Sequence, residues 1–134
     1  MPPGHSYTKL WCNMKSKPLT YLACPYTSSS SLIRHMRYHW VNKAFAHLME
    51  TKGWNVFSPI THSHPVHELG LAGDWTFWKR IDTEYLSFSK RLVVLQLEGW
   101  DTSVGVQAEI KIAKRMKVPI LYMSPITRRL SKKP

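Results

Sequence analysis

The chain of 134 residues carries 19 Lys or Arg against 8 Asp or Glu, so its formal net charge is +11. This length fits one domain of ordinary size, and 43% hydrophobic residues exclude an intrinsically disordered chain. No apolar run approaches the ~18 residues of a transmembrane helix, and residues 1–20 lack the apolar core of a signal peptide. The two cysteines, Cys12 and Cys24, are too few for a disulfide framework. We therefore expect a cytoplasmic protein with no membrane partner.

The positive charge is concentrated at the two ends of the chain. Residues 1–20 contain three basic and no acidic side chains, and residues 111–134 contain eight basic and no acidic ones. The span between them holds eight of each sign and is neutral. We predict a flexible basic arm over 1–19, a single domain over 20–123 and a basic tail over 124–134. Nucleic acid is a less favoured partner of these ends, because their basic residues are not interleaved with the aromatic side chains that single-strand binders use.

Hydrophobic patterning divides the central region into alternating strands and helices. Short apolar runs predict strands at residues 20–24, 54–57, 91–97 and 119–122. Apolar residues at helical spacing, each set following Ser or Asp as a cap, predict helices at residues 32–52, 74–88 and 104–117. The His- and Pro-rich stretch from Ile60 to Gly73 is predicted to be a loop. This alternation predicts an α/β, Rossmann-like, three-layer fold with a central parallel sheet, in which ligands bind beyond the carboxyl ends of the strands.

Two acidic residues fall on apolar faces of the predicted helices. Glu109 borders a buried stripe on the helix after the central strand, and Asp82 lies within an aromatic face of the preceding helix. An unpaired carboxylate in such surroundings is unfavourable, so each is either an ion-pair partner or a functional group. Two carboxyls at one sheet edge can act together at the anomeric carbon of a sugar, one as nucleophile and the other on the sugar or the proton.

Candidate binding residues surround the predicted strand ends. Asp101, Thr102 or Ser103 can cap the helix after the central strand, and Gly105 lets a ligand approach its first turn, where free backbone N–H groups favour a phosphate. Tyr21, Pro25 and Tyr26, at the end of the first strand, either line a base- or sugar-sized pocket or pack in the core.

The loop and the start of the second helix add further candidates. Asp74 can cap that helix, and Trp75 and Trp78 gain a binding role from their position beside the loop segments. His62 and His64 either contact a ligand or stabilise the loop. No nearby cysteine or second carboxylate completes a ligand set, so we expect no metal site.

Several segments together resemble a known superfamily, the nucleoside 2-deoxyribosyltransferase-like proteins, and most closely a small bacterial and phage branch of unknown function. The resemblance spans residues 21–122. The matching segments are Tyr21-Leu-Ala-Cys-Pro-Tyr26, Val56-Phe-Ser-Pro-Ile60, His62-Ser-His64-Pro65, Asp74-Trp75, Trp78, Asp82-x-x-Tyr-Leu86, Gly99-Trp-Asp-x-Ser103-x-Gly105-Val106 and Glu109.

The resemblance implies roles for particular residues. Glu109 falls on the superfamily's glutamate nucleophile, Asp82 on the aspartate that contacts the sugar and assists proton transfer, and Tyr21 on the tyrosine beside the nucleophile. Ser103 falls where transferases acting on nucleosides have an aspartate and nucleotide N-hydrolases have a serine that helps to hold the 5′-phosphate. Pro25 departs from the pattern, because the enzymes often have a glycine in that turn. No cofactor is implied, and a homodimer or larger homo-oligomer is.

We therefore expect an N-glycosidic-bond enzyme, either an N-hydrolase or a deoxyribosyltransferase, acting on a (deoxy)nucleoside 5′-monophosphate or a nucleoside. Two alternatives remain open. One is a non-catalytic protein that binds a nucleotide or a nucleotide-derived signal in the same pocket. The other is a nucleic-acid-binding accessory protein that acts through its basic termini.

Overall fold

A computed structural model describes residues 18–71 and 73–134 of the chain. The predicted arm at residues 1–19 therefore lies almost wholly outside the described residues. The strands are β1 (Leu19–Ala23), β2 (Asn55–Phe57), β3 (Ser89–Leu95), β4 (Ile120–Met123) and β5 (Leu130–Ser131). The helices are α1 (Ser31–Lys52), α2 (Pro59–Glu68), α3 (Trp75–Ser87) and α4 (Val104–Arg115).

The five strands form one sheet in the order β2-β1-β3-β4-β5. The first four are parallel to their neighbours, and β5 is antiparallel to β4. The predicted α/β fold with a central, mostly parallel sheet is confirmed. Because β1 pairs with both β2 and β3, the direction in which the chain winds reverses between β1 and β3, and a ligand crevice is expected at their carboxyl ends.

Short polar side chains begin the helices at the predicted places. Ser30, Asp74 and Ser103 accept hydrogen bonds from the backbone N–H groups of Ile33, Phe77 and Val106, each three residues further on. These bonds satisfy amides that have no partner within the helix. The caps fix where α3 and α4 begin, and both helices start near the carboxyl ends of the strands.

The two faces of the sheet carry separate cores. Alternate residues of β1 point to opposite faces, so Tyr21 packs with α3 and α4 while Leu22 packs with α1. The core under α1 is made of apolar residues, including Val41, Ala44 and Leu48. The first turns of α1 do not reach it. Ile33 and Met36, which helical spacing assigns to the buried stripe, are 42% and 51% exposed.

The predicted loop from Ile60 to Gly73 is wrong over most of its length, because α2 occupies Pro59–Glu68. Ser58 accepts a hydrogen bond from the Thr61 N–H, and Pro59 has the fixed φ that suits the first helical position. Pro65 lies inside the helix and removes one hydrogen bond. Packing against α1 compensates for this loss, since the Thr61 hydroxyl lies 2.6 Å from Asn42 Oδ1.

The predicted basic tail contains a strand that the sequence pattern does not announce. Leu130 pairs with Met123 and Ser131 with Tyr122, which extends the sheet by β5. In the described residues, no helix has both the length and the apolar character needed to cross a membrane.

Candidate active site

A cavity of about 440 Å³ lies at the carboxyl ends of β1 and β3. Its volume falls within the range of small-molecule sites. Its walls come from the segments after these two strands, one side of α2, the start of α3 and the first half of α4. Six of the residues singled out from the sequence line it, in addition to the two carboxyls: Tyr26, Asp74, Trp75, Trp78, Ser103 and Gly105.

Glu109 lines the cavity from the second turn of α4 and is only 5% exposed. Burial raises the pKa of its carboxyl from 4.5 to about 8, since the charged form loses its hydration. The Tyr21 hydroxyl lowers this pKa and the Asp82 carboxyl raises it. No Lys or Arg forms an ion pair with Glu109 in the part of the chain that the structure describes.

Asp82 lines the same cavity from α3 and is 7% exposed. Burial raises the pKa of its carboxyl from 3.8 to about 7. Asp82 also acts on the pKa of Glu109, so the two carboxyls are electrostatic neighbours. The pair consequently titrates as a unit near neutral pH, where one carboxyl can hold a proton while the other is ionised.

Tyr21 lies behind Glu109 on β1 and is fully buried. Burial, followed by the nearby Glu109 and Asp82 carboxyls, raises the pKa of the phenol well above its ordinary value, so the hydroxyl keeps its proton. The hydroxyl is near enough to act on the Glu109 carboxyl. Yet neither Tyr21 Oη nor Glu109 Oε2 has a partner with normal hydrogen-bond geometry among the described residues. Buried polar atoms without partners are costly. Of these two residues, Glu109 lines the cavity and Tyr21 does not.

The first turn of α4 forms another part of the wall. Ser103 caps the helix and Gly105 lies in its first turn. Helix N-termini present free N–H groups and a partial positive charge, which favour an anion. A Cβ atom placed on Gly105 would meet only the Trp75 ring, at 3.8 Å. The missing side chain therefore leaves room toward the cavity and is not required by packing.

The helical form of α2 decides which of its side chains reach the cavity. Ile60, Ser63 and His67 lie at three- and four-residue spacing and line it. His62 and His64, selected on the assumption of a loop, do not. His62 is exposed, with its ring 5.8 Å from that of Phe57. If the segment after Ser58 is predicted as a helix, three- and four-residue spacing places His67 on the same side as Ile60 and Ser63.

His64 and Pro25 are buried beside the cavity but do not line it. The His64 ring stacks on Tyr38 with centroids 4.2 Å apart, and its Nδ1 shares a hydrogen bond of 2.6 Å with the Tyr26 hydroxyl. Burial lowers the pKa of His64, which favours the neutral ring. His64 therefore supports the position of Tyr26, and Tyr26 faces the cavity.

Cys24 and Arg37 are among the lining residues that were not identified as ligand contacts from the sequence. Cys24, at the end of β1, is buried, and this burial raises the pKa of its thiol. The thiol is therefore protonated, as expected for a small buried residue. Arg37 reaches the cavity from α1. Arg37 lies inside a helix and not directly after a strand, so the sequence pattern does not predict that it reaches the cavity. No cluster of three His, Cys, Asp or Glu side chains that could hold a metal ion occurs within residues 18–71 and 73–134.

Two solved structures share this fold. The 2-deoxyribosyltransferase of the psychrotolerant bacterium Bacillus psychrosaccharolyticus matches with a TM-score of 0.53 and 23% sequence identity, over 80% of this chain and 72% of that one. A conserved protein from Enterococcus faecalis V583 matches with a TM-score of 0.51 and 19% identity. That match covers 81% of this chain and 64% of the other. At these identities the likeness establishes the 2-deoxyribosyltransferase-like fold.

Sequence comparison leads to a family without an assigned activity. No curated protein matches the chain. The family model described as "Domain of unknown function (DUF1937)" matches residues 18–125, which include both buried carboxyls and the whole cavity. The chain therefore belongs to the DUF1937 family.

Proposed function

We propose that the protein acts on the N-glycosidic bond of a nucleoside or nucleotide, with Glu109 as the nucleophile. The observation that carries this proposal is the pair of buried carboxyls, Glu109 and Asp82, in one cavity and without a cationic partner among the described residues. Acids with strongly perturbed pKa values cluster at functional sites, and structural ion pairs, the other common cause of such shifts, do not occur at these two residues within the ranges that the structure describes. The fold shared with a 2-deoxyribosyltransferase supports the same class of reaction.

The first step forms a covalent bond between protein and sugar. Ionised Glu109 attacks C1′, and the bond between C1′ and the base nitrogen breaks with its electron pair on the base. The pKa of Glu109 (about 8) lies above that of Asp82 (about 7), so the reactive form is the less populated one of the coupled pair, with the proton on Asp82 and Glu109 ionised. Asp82 gives this proton to the departing base. The products are the free base and a glycosyl ester of Glu109.

The second step releases the sugar. Ionised Asp82 takes a proton from a water molecule, the water oxygen bonds to C1′, and the ester bond to Glu109 breaks. Glu109 leaves as a carboxylate, and the net reaction is hydrolysis. If a second nucleobase replaces the water, the same step yields a new nucleoside and the net reaction is transfer.

Other side chains support these steps. The Tyr21 hydroxyl, which has no other partner of normal geometry, is available to donate to Glu109 as the carboxylate develops charge and to fix its orientation. Tyr26, Trp75 and Trp78 supply aromatic surface on which a nucleobase can stack. Ser103 and the first turn of α4 face the 5′ end of the sugar.

The test is release of free base. The protein is incubated with each of the four deoxynucleosides and their 5′-monophosphates, and the products are separated by chromatography. We expect base from at least one of them, and a decrease of more than about 10³-fold in its rate for Glu109→Gln. Glu84→Gln on the exposed side of α3 is the matched control and retains the rate. Addition of a different free base distinguishes transfer from hydrolysis.

Two outcomes contradict the proposal. One is the absence of base release from all eight compounds. The other is equal release by the parent and Glu109→Gln. Thermal stabilisation by a nucleotide without turnover would favour the alternative of a non-catalytic nucleotide-binding protein.

A further inference from the structure

Arg37 brings a positive charge to the cavity wall, and the proposed chemical steps do not use it. The residue lies on α1, is partly buried and lines the cavity. Its Nη1 donates to the Thr27 carbonyl at 3.0 Å, and its Nη2 donates to the Glu98 carbonyl at 3.2 Å. These carbonyls belong to the segments that follow β1 and β3. The guanidinium is thus held in place where the two strand ends meet.

No carboxylate neutralises Arg37 within residues 18–71 and 73–134. The pKa values of Glu109 and Asp82 are both raised, and Arg37 lowers neither of them. Its charge lowers the pKa of the Cys24 thiol, against the larger effect of burial. Since a guanidinium is always charged in proteins, the cavity contains a cation that the described side chains do not balance.

The Arg37 guanidinium lies beside the loop that leads into α4, where hydrogen-bond donors are available. A Cβ atom on Gly99 would lie 3.2 Å from Arg37 Nη2, so the glycine leaves room for the guanidinium beside this loop. Thr102 and Ser103 follow in the same loop and line the cavity. The cation, two hydroxyls and the free N–H groups of a helix N-terminus therefore share one end of the cavity.

Glu109 lies toward the other end. It is six residues after Ser103, which corresponds to about 9 Å of helix rise. A sugar whose C1′ faces Glu109 and whose 5′ end faces Ser103 fills this interval. The group attached to its 5′ oxygen then meets Arg37. After the two carbonyl bonds, three of the five guanidinium N–H groups remain for that ligand.

We propose that Arg37, together with the first turn of α4, binds the 5′-phosphate of the substrate, so that the substrate class is the nucleoside 5′-monophosphates. This inference rests on the proposed function for the identity of the sugar and the base. A single terminal phosphate matches the open donors of one guanidinium and one helix N-terminus. An uncharged 5′-hydroxyl would leave the cation without a counter-ion.

The phosphate site can be tested without the reaction. Deoxyribose 5-phosphate contains no glycosidic bond to a base, so its binding is independent of catalysis. Calorimetric titration is performed with deoxyribose 5-phosphate, deoxyribose and inorganic phosphate. We expect the parent to bind the sugar phosphate at least about tenfold more tightly than either fragment, and Arg37→Gln to lose at least about tenfold of that affinity.

Two further variants control for charge and for folding. Lys43→Gln, exposed further along α1 and outside the cavity lining, is expected to bind the sugar phosphate as tightly as the parent. Arg37→Lys keeps the charge but loses the planar fork, and we expect intermediate affinity. If Arg37→Gln does not fold, Arg37→Lys and the parent's preference for the sugar phosphate over deoxyribose decide the result.

The outcomes separate this inference from the proposed function. Equal affinity for deoxyribose and its phosphate, unchanged binding by Arg37→Gln, or inorganic phosphate bound as tightly as the sugar phosphate would each overturn the inference. Base release from nucleosides as fast as from monophosphates would also overturn it, while the proposed reaction would stand. Phosphate binding that depends on Arg37 in a protein that releases no base would support the phosphate site and contradict the proposed reaction.

Discussion

The two faces of the sheet differ in what they bury. The face under α1 packs aliphatic side chains against the sheet, with Leu22 of β1 among them. The face under α3 and α4 receives the neighbouring residue of the same strand, Tyr21, and buries Asp82 and Glu109 beside it. One strand thus contributes to an apolar core on one face and to the surroundings of two buried carboxyls on the other. Both faces bury apolar side chains that stabilise the fold, and the second also keeps two acidic side chains out of water, at a cost in stability.

The largest expected effect comes from breaking the apolar face. Leu48→Ala removes a fully buried side chain under α1, and we expect a loss of about 2–5 kcal/mol in the free energy of unfolding. We expect the same loss at pH 5 and pH 9, because the side chains that pack around Leu48 are apolar. Urea denaturation at both pH values measures it. A loss that varies strongly with pH would show that the two faces are not energetically separate.

Glu109→Gln, on the other face of the sheet, is expected to raise the free energy of unfolding. The folded protein holds the Glu109 proton up to about pH 8, whereas an unfolded chain loses it near pH 4.5. The stability of the parent therefore falls as the pH rises between these values. We expect the unfolding free energy of Glu109→Gln to equal that of the parent at pH 4 and to exceed it by up to about 5 kcal/mol at pH 9, since the pKa rises from 4.5 to about 8 and each pKa unit corresponds to about 1.4 kcal/mol. Denaturation across this range checks the sign, and a variant less stable than the parent at pH 9 would contradict it.

Tyr21→Phe removes a buried hydroxyl that has no partner of normal geometry. We expect the free energy of unfolding to stay the same or to rise by up to about 1 kcal/mol, because no hydrogen bond is lost. Base release is expected to fall by about tenfold, since the hydroxyl no longer orients Glu109. Thermal melting and the release assay measure the two effects on the same preparation. A marked loss of stability would mean that the hydroxyl is bonded in the folded protein.

The smallest expected effect on stability belongs to Gly105→Ala. The added methyl group meets only the Trp75 ring at ordinary contact distance, and alanine favours a helix over glycine. We expect a change within about 1 kcal/mol in unfolding free energy. Binding of deoxyribose 5-phosphate is nevertheless expected to weaken, because the methyl group occupies space at the first turn of α4. Unchanged affinity would place the ligand elsewhere in the cavity.

Much of the fold follows from periodicity and capping. The apolar run at 91–97 and the Ser and Asp caps predict β3, α3 and α4 close to their observed bounds. The segment that contains Pro65 is predicted to be a loop, because proline is unfavourable inside a helix. The structure has a helix there, which begins with Ser58 as its cap and Pro59 in its first turn. The two-residue β5 is too short for any pattern to announce.

The carboxyl pair could be located from sequence because each acid interrupts an apolar helical face, which is visible without a structure. Arg37 could not. Its neighbours along α1 carry no pattern that distinguishes it, and its role depends on a long side chain that meets two loops brought together by the sheet order. His67 lies between these cases. It becomes visible once the segment is read as a helix.

The short strands at the two ends of the sheet have a consequence for how the protein behaves at high concentration. Sheet edges can template pairing with other chains, and short, charged edges resist this. Here β2 has three residues and β5 has two, and Lys132 and Lys133 directly follow β5. The charges of Lys132 and Lys133 thus oppose the pairing of the β5 edge with other chains. Part of the net charge of +11 therefore favours solubility, independently of any nucleic acid.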